Sequence, residues 1–134
     1  MLPDAAMMVG PESIARFIGT GDAAALAGVF ADDVIIIENF APYVFAGPQS
    51  VALWLQGMRA HLEGTSGLEH TFSGACDYGR VGDSAFFTLP TGWKGLAGGR
   101  RFHEHGGWLF VLVQNGAQWK VRSYAWAVTE ISTI

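Results

Sequence analysis

Cysteine is almost missing from this sequence, which has one, Cys76, in 134 residues. A single cysteine cannot form a disulfide within the chain, and proteins without disulfides are typical of reducing compartments. The first residues also lack the basic and apolar segments of a secretory signal peptide. The sequence therefore predicts a cytoplasmic protein.

Basic residues are also few, with 8 Lys and Arg against 12 Asp and Glu, which gives a net charge of −4. Proteins that bind nucleic acids need a concentrated positive surface to meet the phosphates. Long apolar runs are missing too, because no stretch approaches the roughly 20 residues that cross a bilayer. We therefore expect neither a nucleic-acid partner nor a membrane partner.

Apolar residues, by contrast, make up 50% of the chain, and charged residues only 15%. A chain of this length and composition can bury one sizeable core. It contains no internal repeat and no low-complexity tract. We expect one domain over residues 1–134.

Helix-forming segments come first along the chain. Apolar residues recur at helical spacing in residues 11–18, 23–30 and 48–63, and Asp22 is placed to cap the second of these helices. Residues 1–10 show no such pattern. The sequence therefore predicts three helices, beginning at Pro11.

The rest of the chain has the composition of strands. Strands are expected at residues 34–37, 44–46, 70–78, 84–91, 101–114 and 118–128. The glycine-rich segments 79–83 and 92–99 are predicted to be connections, and Asn115-Gly116 is a strong hairpin signal. Helices followed by antiparallel strands indicate an α+β fold, with the helices packed on one face of a curved sheet.

Two sequence patterns are similar to those of a known superfamily. The chain reads GD-x-x-x-L-x-x-x-FADDV from Gly21 and W-K-V-x-S-x-A-W from Trp119, with a Gly-Pro helix between them. Over residues 11–128 it resembles the nuclear transport factor 2-like superfamily, and within it the SnoaL-like and ketosteroid-isomerase-like branch. The resemblance implies a cone-shaped, curved antiparallel sheet, a cystatin-like roll, wrapped around N-terminal helices and a deep apolar pocket.

Glu38 is the leading catalytic candidate. It ends the apolar strand 34–37, where burial would raise the pKa of its carboxyl group toward that of a useful general base. The resemblance adds that ketosteroid isomerases carry their catalytic acid at the end of the strand after FADD, which corresponds to Glu38. The alternative is that Glu38 ends the strand facing solvent beside Asn39.

The proton donors of the isomerase pattern are missing. The first helix has Ile14 where the resemblance implies a tyrosine, and the third long strand offers Gly107, Trp108 or Phe110 where it implies an acid. A base without oxyanion donors loses the largest catalytic contribution. Tyr43, Tyr124 or a histidine would have to replace them.

His103 and His105 are two residues apart on a strand and therefore share a face. They could donate protons to an enolate or a leaving group, or they could lie at an exposed strand start or a dimer contact. A His-x-His pair is also half of a metal site, but no further ligand lies at a convincing spacing. We expect no metal and no cofactor.

Large side chains at strand and helix spacing are expected to form the wall of the pocket, although the same spacing also fits an ordinary core. The expected wall residues are Trp54, Met58, Trp108, Phe110, Tyr124 and Trp126. Trp93 lies in a glycine-rich segment and is expected in a lid or an exposed turn.

These features suggest a small enzyme that moves protons on an apolar carbonyl ligand, by isomerisation, dehydration or cyclisation. The alternative is a noncatalytic module of the same fold that binds a ligand or dimerises. The strands are apolar on both faces, since Phe86 and Phe87 point in opposite directions, as do Leu109 and Phe110. We therefore expect a homodimer formed through the sheet.

Overall fold

Two α-helices and one short 3-10 helix accompany the sheet. In the computed structural model, which describes residues 3–133, α1 spans Ala5–Thr20, the 3-10 helix spans Ala23–Leu26 and α2 spans Ser50–His61. None of the helices in this part of the chain has the length and apolar character needed to cross a membrane.

Helix α1 begins earlier than the sequence suggested. Asp4 caps it by accepting a hydrogen bond from the backbone N–H of Met7, at 3.0 Å. Pro11 is a buried residue inside the helix, not its first turn. The prediction that residues 1–10 lie outside a helix is therefore wrong for residues 5–10.

The second predicted helix is also shorter than expected. The 3-10 helix ends at Leu26, and Gly28 then adopts a φ of +71°, a conformation that favours glycine. The chain turns there, and the first strand already begins at Phe30. The FADD segment therefore begins a strand, with Asp32 and Asp33 exposed.

Seven strands form one mixed, curved sheet. They are β1 (Phe30–Ile37), β2 (Val44–Phe45), β3 (Thr65–Phe72), β4 (Cys76–Val81), β5 (Ser84–Ala97), β6 (Arg100–Asn115) and β7 (Gln118–Thr133). Their order is β2-β1-β7-β6-β5-β3, and β4 also pairs with β5. All pairs are antiparallel except β1 with β7, which is parallel. The predicted α+β architecture is confirmed.

Two predicted connections differ from the structure. The segment 79–83 begins as strand, because β4 continues to Val81 and only Gly82-Asp83 form the turn. The segment 92–99 is mostly strand, because β5 continues to Ala97 and only Gly98-Gly99 form the turn, both with positive φ. Within the strand, a Cβ on Gly95 would come within 2.9 Å of the Ser66 carbonyl oxygen of β3. Glycine at this position permits close strand approach, and it was mistaken for a turn signal.

The helices cover one face of the sheet, and the strands bury alternate residues against them. In β1, Val34 and Ile36 are buried, whereas Ile35 and Ile37 are 43% and 38% exposed. In the single chain this apolar strand is therefore buried on one face only. Glycine again allows close packing at Gly10 of α1, where a Cβ would lie 2.8 Å from Val121 of β7.

Candidate functional site

Glu38 follows β1 directly and continues its alternation, so its side chain points to the same face as Val34 and Ile36. Its backbone N–H donates to the carbonyl oxygen of Tyr43 at 2.9 Å, which fixes the backbone where the chain turns into β2. The residue is only 5% exposed. Glu38 is thus a buried acid held by the ends of two strands.

Two donors from distant elements reach the Glu38 carboxylate. The indole Nε1–H of Trp54, on α2, donates to Oε2 at 3.0 Å. The Tyr124 hydroxyl, on β7, donates to the same oxygen. Among residues 3–133 no side-chain hydrogen bond reaches Oε1, so this oxygen is left to take a proton from a ligand.

Burial and hydrogen bonding act in opposite directions on this carboxyl group. Desolvation dominates and raises the pKa of Glu38 from 4.5 to about 7, while the bonds from Tyr124 and Trp54 lower it, and the charge of Glu104 raises it. Burial also raises the pKa of Tyr124 well above its usual value, so its hydroxyl stays protonated as a donor. Glu38 can therefore exchange a proton near neutral pH.

Glu38 lies at a cavity of about 300 Å³ with a largely apolar wall. The apolar and aromatic lining consists of Ile18, Phe40, Met58, Leu62, Leu68, Trp93, Ala97, Phe102, Trp108, Trp126 and Ile131. A wall of this kind suits an apolar ligand, with a few polar groups to orient it.

A second acid, Glu104 of β6, lines the same cavity. It is half-buried, and burial raises the pKa of its carboxyl group, while the nearby Trp126 indole lowers it. The cavity holds two acids with raised pKa values, an arrangement that suits acid–base chemistry.

Packed aromatic rings fix the positions of these groups. Trp108 lies edge-to-face with Tyr124 and with Trp126, with ring centroids 5.5 Å and 5.9 Å apart. Trp54 packs against Phe17 and Phe30, with ring centroids 5.4 Å and 5.5 Å apart. The two donors to the Glu38 carboxyl group are therefore held by packed aromatic neighbours.

No protein-family model matches this sequence, and a search of curated proteins finds no relative. Solved structures match it well. The hexachlorocyclohexane dehydrochlorinase LinA-type3 from Novosphingobium barchaimii has a TM-score of 0.81 at 11% identity, over 97% of this chain and 88% of that chain. A proposed ketosteroid isomerase from Shewanella frigidimarina has a TM-score of 0.72 at 21% identity, over 92% of this chain and 96% of that chain.

A proposed scytalone dehydratase from Novosphingobium aromaticivorans also matches, with a TM-score of 0.72 at 16% identity, over 94% of this chain and 85% of that chain. This chain has the nuclear transport factor 2-like fold. The fold expected from the FADDV and WKVRSYAW segments is thereby confirmed.

Within the nuclear transport factor 2-like fold, the predicted wall residues divide into two groups. Met58, Trp108 and Trp126 line the cavity. Trp54 and Tyr124 lie behind Glu38 and donate hydrogen bonds to it. Phe110 is fully buried beside Trp108, with ring centroids 5.0 Å apart, and does not line the cavity.

Three predicted donors lie outside the cavity lining. Tyr43 is 58% exposed in the turn before β2. The rings of His103 and His105 contact each other at a tilt of 44°, with ring centroids 4.4 Å apart. They alternate along β6 with Glu104, which lines the cavity, so they lie on the opposite face of the sheet. The structure therefore does not bring these three side chains to Glu38.

Sequence reasoning missed two residues that line the cavity. Glu104 has the strand parity of Trp108, so the expected position of Trp108 could have predicted it. Trp93 is buried on β5 and not in an exposed turn. His61 of α2 is exposed, stacks on Phe40 and also lines the cavity.

Metal-binding side chains are scattered in this fold. Within residues 3–133, no three of the His, Cys, Asp and Glu side chains come together in a way that could hold an ion.

Proposed function

We propose that this chain is a small enzyme that moves a proton on an apolar carbonyl compound without a cofactor, with Glu38 as the base. One observation carries the proposal. Glu38 is buried at an apolar cavity, its pKa is raised to about 7, and its Oε1 has no donor among the described residues. A carboxylate in that state is suited to general-base catalysis near neutral pH.

The reaction would begin with transfer of a proton from the carbon beside the ligand carbonyl to Oε1 of Glu38. The electron pair of the broken C–H bond moves into the carbonyl group and forms an enolate. Trp54 and Tyr124 hold Oε2 throughout, so the carboxyl group keeps its orientation. Where the ligand has a C=C bond next to that carbon, the enolate is a dienolate, and Glu38 can return the proton to the far carbon of that bond while the carbonyl group re-forms, which shifts the double bond and completes an isomerisation.

Glu104 would supply the complementary acid. In its protonated form it can donate to the enolate oxygen or to a departing hydroxyl group, which would make the reaction a dehydration or part of a cyclisation. Two carboxyl groups with raised pKa values in one cavity can divide the roles of acid and base between them. The names of the neighbours, a dehydrochlorinase, an isomerase and a dehydratase, fit this group of reactions.

The test begins with a thermal-shift screen of apolar ketones and enones, followed by turnover assays on the hits. Glu38→Gln keeps the size and hydrogen-bonding capacity of the side chain but removes the base. Turnover should fall by about two orders of magnitude or more, while binding is largely kept. Glu130→Gln is the matched control, because Glu130 is exposed on β7 and does not line the cavity. Unchanged turnover in Glu38→Gln would remove Glu38 from the mechanism.

A second candidate function is noncatalytic ligand binding on the same fold. It is favoured by the position of Tyr43, His103 and His105, which were expected as proton donors and lie outside the cavity lining. On this reading, screened ligands bind but none is converted, and Glu38→Gln changes no function. Detection of turnover that depends on Glu38 decides between the two.

A further inference from the structure

A second cavity of about 250 Å³ lies directly beside the one that contains Glu38. The residues that line both cavities are Ile18, Met58, Leu62, Thr65 and Leu68. A side chain that lines two cavities stands between them. The partition is therefore one layer of side chains thick, built where the ends of α1 and α2 meet β3.

The partition consists mainly of side chains that can move. Met58 has an unbranched thioether side chain with three rotatable bonds, which adapts readily to different neighbours. Ile18, Leu62 and Leu68 are only half-buried, and Leu68 lies in the irregular part of β3 where its register with β5 shifts. Rotation of a few side chains, without backbone movement, would join the two cavities.

The second cavity has a different chemistry from the first. The Glu38 cavity carries two acids, whereas the second is lined by one charged residue, Arg59 of α2, and by the hydroxyl-bearing residues Thr20 and Ser66. Arg59 forms no salt bridge with any residue in the range 3–133. Its guanidinium group is therefore available to a ligand, and guanidinium groups bind carboxylates well.

We propose that the two cavities form one binding site for an elongated ligand whose far end carries a carboxylate. The apolar body lies beside Glu38, the chain passes between Met58 and Leu62, and the carboxylate pairs with Arg59. This inference deepens the proposed function by naming the substrate class, and it rests on that function for the role of the Glu38 cavity. The negative charge of the ionised Glu38 repels the ligand carboxylate, which favours the orientation with the carboxylate at the far end of the site.

The test measures binding of two matched pairs of probes by calorimetry. The long pair is naphthylhexanoic acid and its methyl ester, and the short pair is naphthylacetic acid and its methyl ester. The long acid should bind about fivefold more tightly than its ester, as expected for a partly exposed ion pair. The short acid should show no such preference, because its carboxylate cannot reach Arg59.

Two arginine variants test whether Arg59 causes the preference for the long acid over its ester. Arg59→Gln should abolish it for the long pair, while Arg16→Gln, an exposed arginine of α1 that lines neither cavity, should keep it. Leu62→Phe should place a larger side chain in the partition and weaken the binding of the long probes only. Equal binding of the long acid and its ester, or a preference that survives Arg59→Gln, would overturn the proposal.

This binding test can be distinguished from the test of the proposed function, because it measures affinity and needs no turnover. Glu38→Gln should keep the preference for the long acid even where catalysis is lost. A preference without any turnover would support the elongated site and count against the enzyme. Turnover that depends on Glu38, with no preference for the acid, would do the reverse.

Discussion

At the scale of single residues, the Glu38 carboxyl group is governed by a balance between burial and two donors. Burial favours the neutral form, while the hydrogen bonds from Tyr124 and Trp54 favour the ionised form. The pKa of about 7 is the result of this balance. Removing either donor should therefore shift the pKa in a direction that can be stated in advance.

Tyr124→Phe should raise the pKa of Glu38 above that of the wild type, because the ionised carboxylate loses a hydrogen bond while its burial remains. Trp54→Phe should act in the same direction by a smaller amount. The pKa can be followed by NMR of glutamate labelled at the carboxyl carbon. Tyr78→Phe is the control, since Tyr78 is half-buried on β4 and has no hydrogen bond to Glu38. A pKa that falls in Tyr124→Phe would contradict the assigned role of this donor.

At the scale of elements, the inward position of Glu38 could be predicted, and its partners could not. The alternation of Val34, Ile36 and Glu38 follows from strand geometry alone. The donors lie 16 and 86 residues away along the chain, at Trp54 and Tyr124. The packing of α2 and the pairing of β1 with β7 bring Trp54 and Tyr124 to Oε2 of Glu38. No local sequence pattern predicts these long-range contacts.

Glycine explains why some strand boundaries were predicted incorrectly. Gly95 was predicted to lie in a glycine-rich connection, yet it lies inside the long strand β5, whereas Gly106 lies inside β6 as predicted. A Cβ on Gly106 would collide with the Ala127 carbonyl oxygen and with the Trp126 ring. The absence of a side chain there lets β6 and β7 pair closely around Trp126, a requirement that depends on the partner strand and is invisible in the local sequence.

At the scale of the whole molecule, the outer face of the sheet carries exposed apolar side chains on neighbouring strands. Ile37 of β1 and Leu109 of β6 both pair with Ala125 of β7 in register, and Ile37 and Leu109 are 38% and 40% exposed. Phe86 of β5 also lies on this outer face and is 39% exposed. Contiguous exposed apolar surface of this kind favours association.

We therefore predict a homodimer formed through this outer face. Light scattering at micromolar concentration should give twice the mass of the chain, and Leu109→Lys should shift the protein to the monomer because it places a charge in the interface. Val9→Lys, on the exposed side of α1, should leave the dimer intact. A wild-type protein that stays monomeric under these conditions would contradict the prediction.

The stability of the whole chain should depend on pH through Glu38. Its pKa is higher in the folded chain, at about 7, than the ordinary value of 4.5, so the folded state binds more protons between these values. The stabilising contribution of this proton uptake is fully present below pH 4.5 and is lost as the pH rises through 7. The free energy of unfolding should thus decrease by up to about 3 kcal/mol between these two pH values. Denaturant unfolding should show the slope in the wild type and a weaker one in Glu38→Gln, and equal slopes would count against the buried acid.

The most direct measurement is the titration of the Glu38 carboxyl carbon in the wild-type protein, assigned by the loss of its signal in Glu38→Gln. We predict a midpoint near pH 7, because burial outweighs the hydrogen bonds from Tyr124 and Trp54. A midpoint for Glu38 close to the value of an unperturbed glutamate in a peptide, about 4.3, would show that the carboxyl group is solvated and would contradict its role as the base.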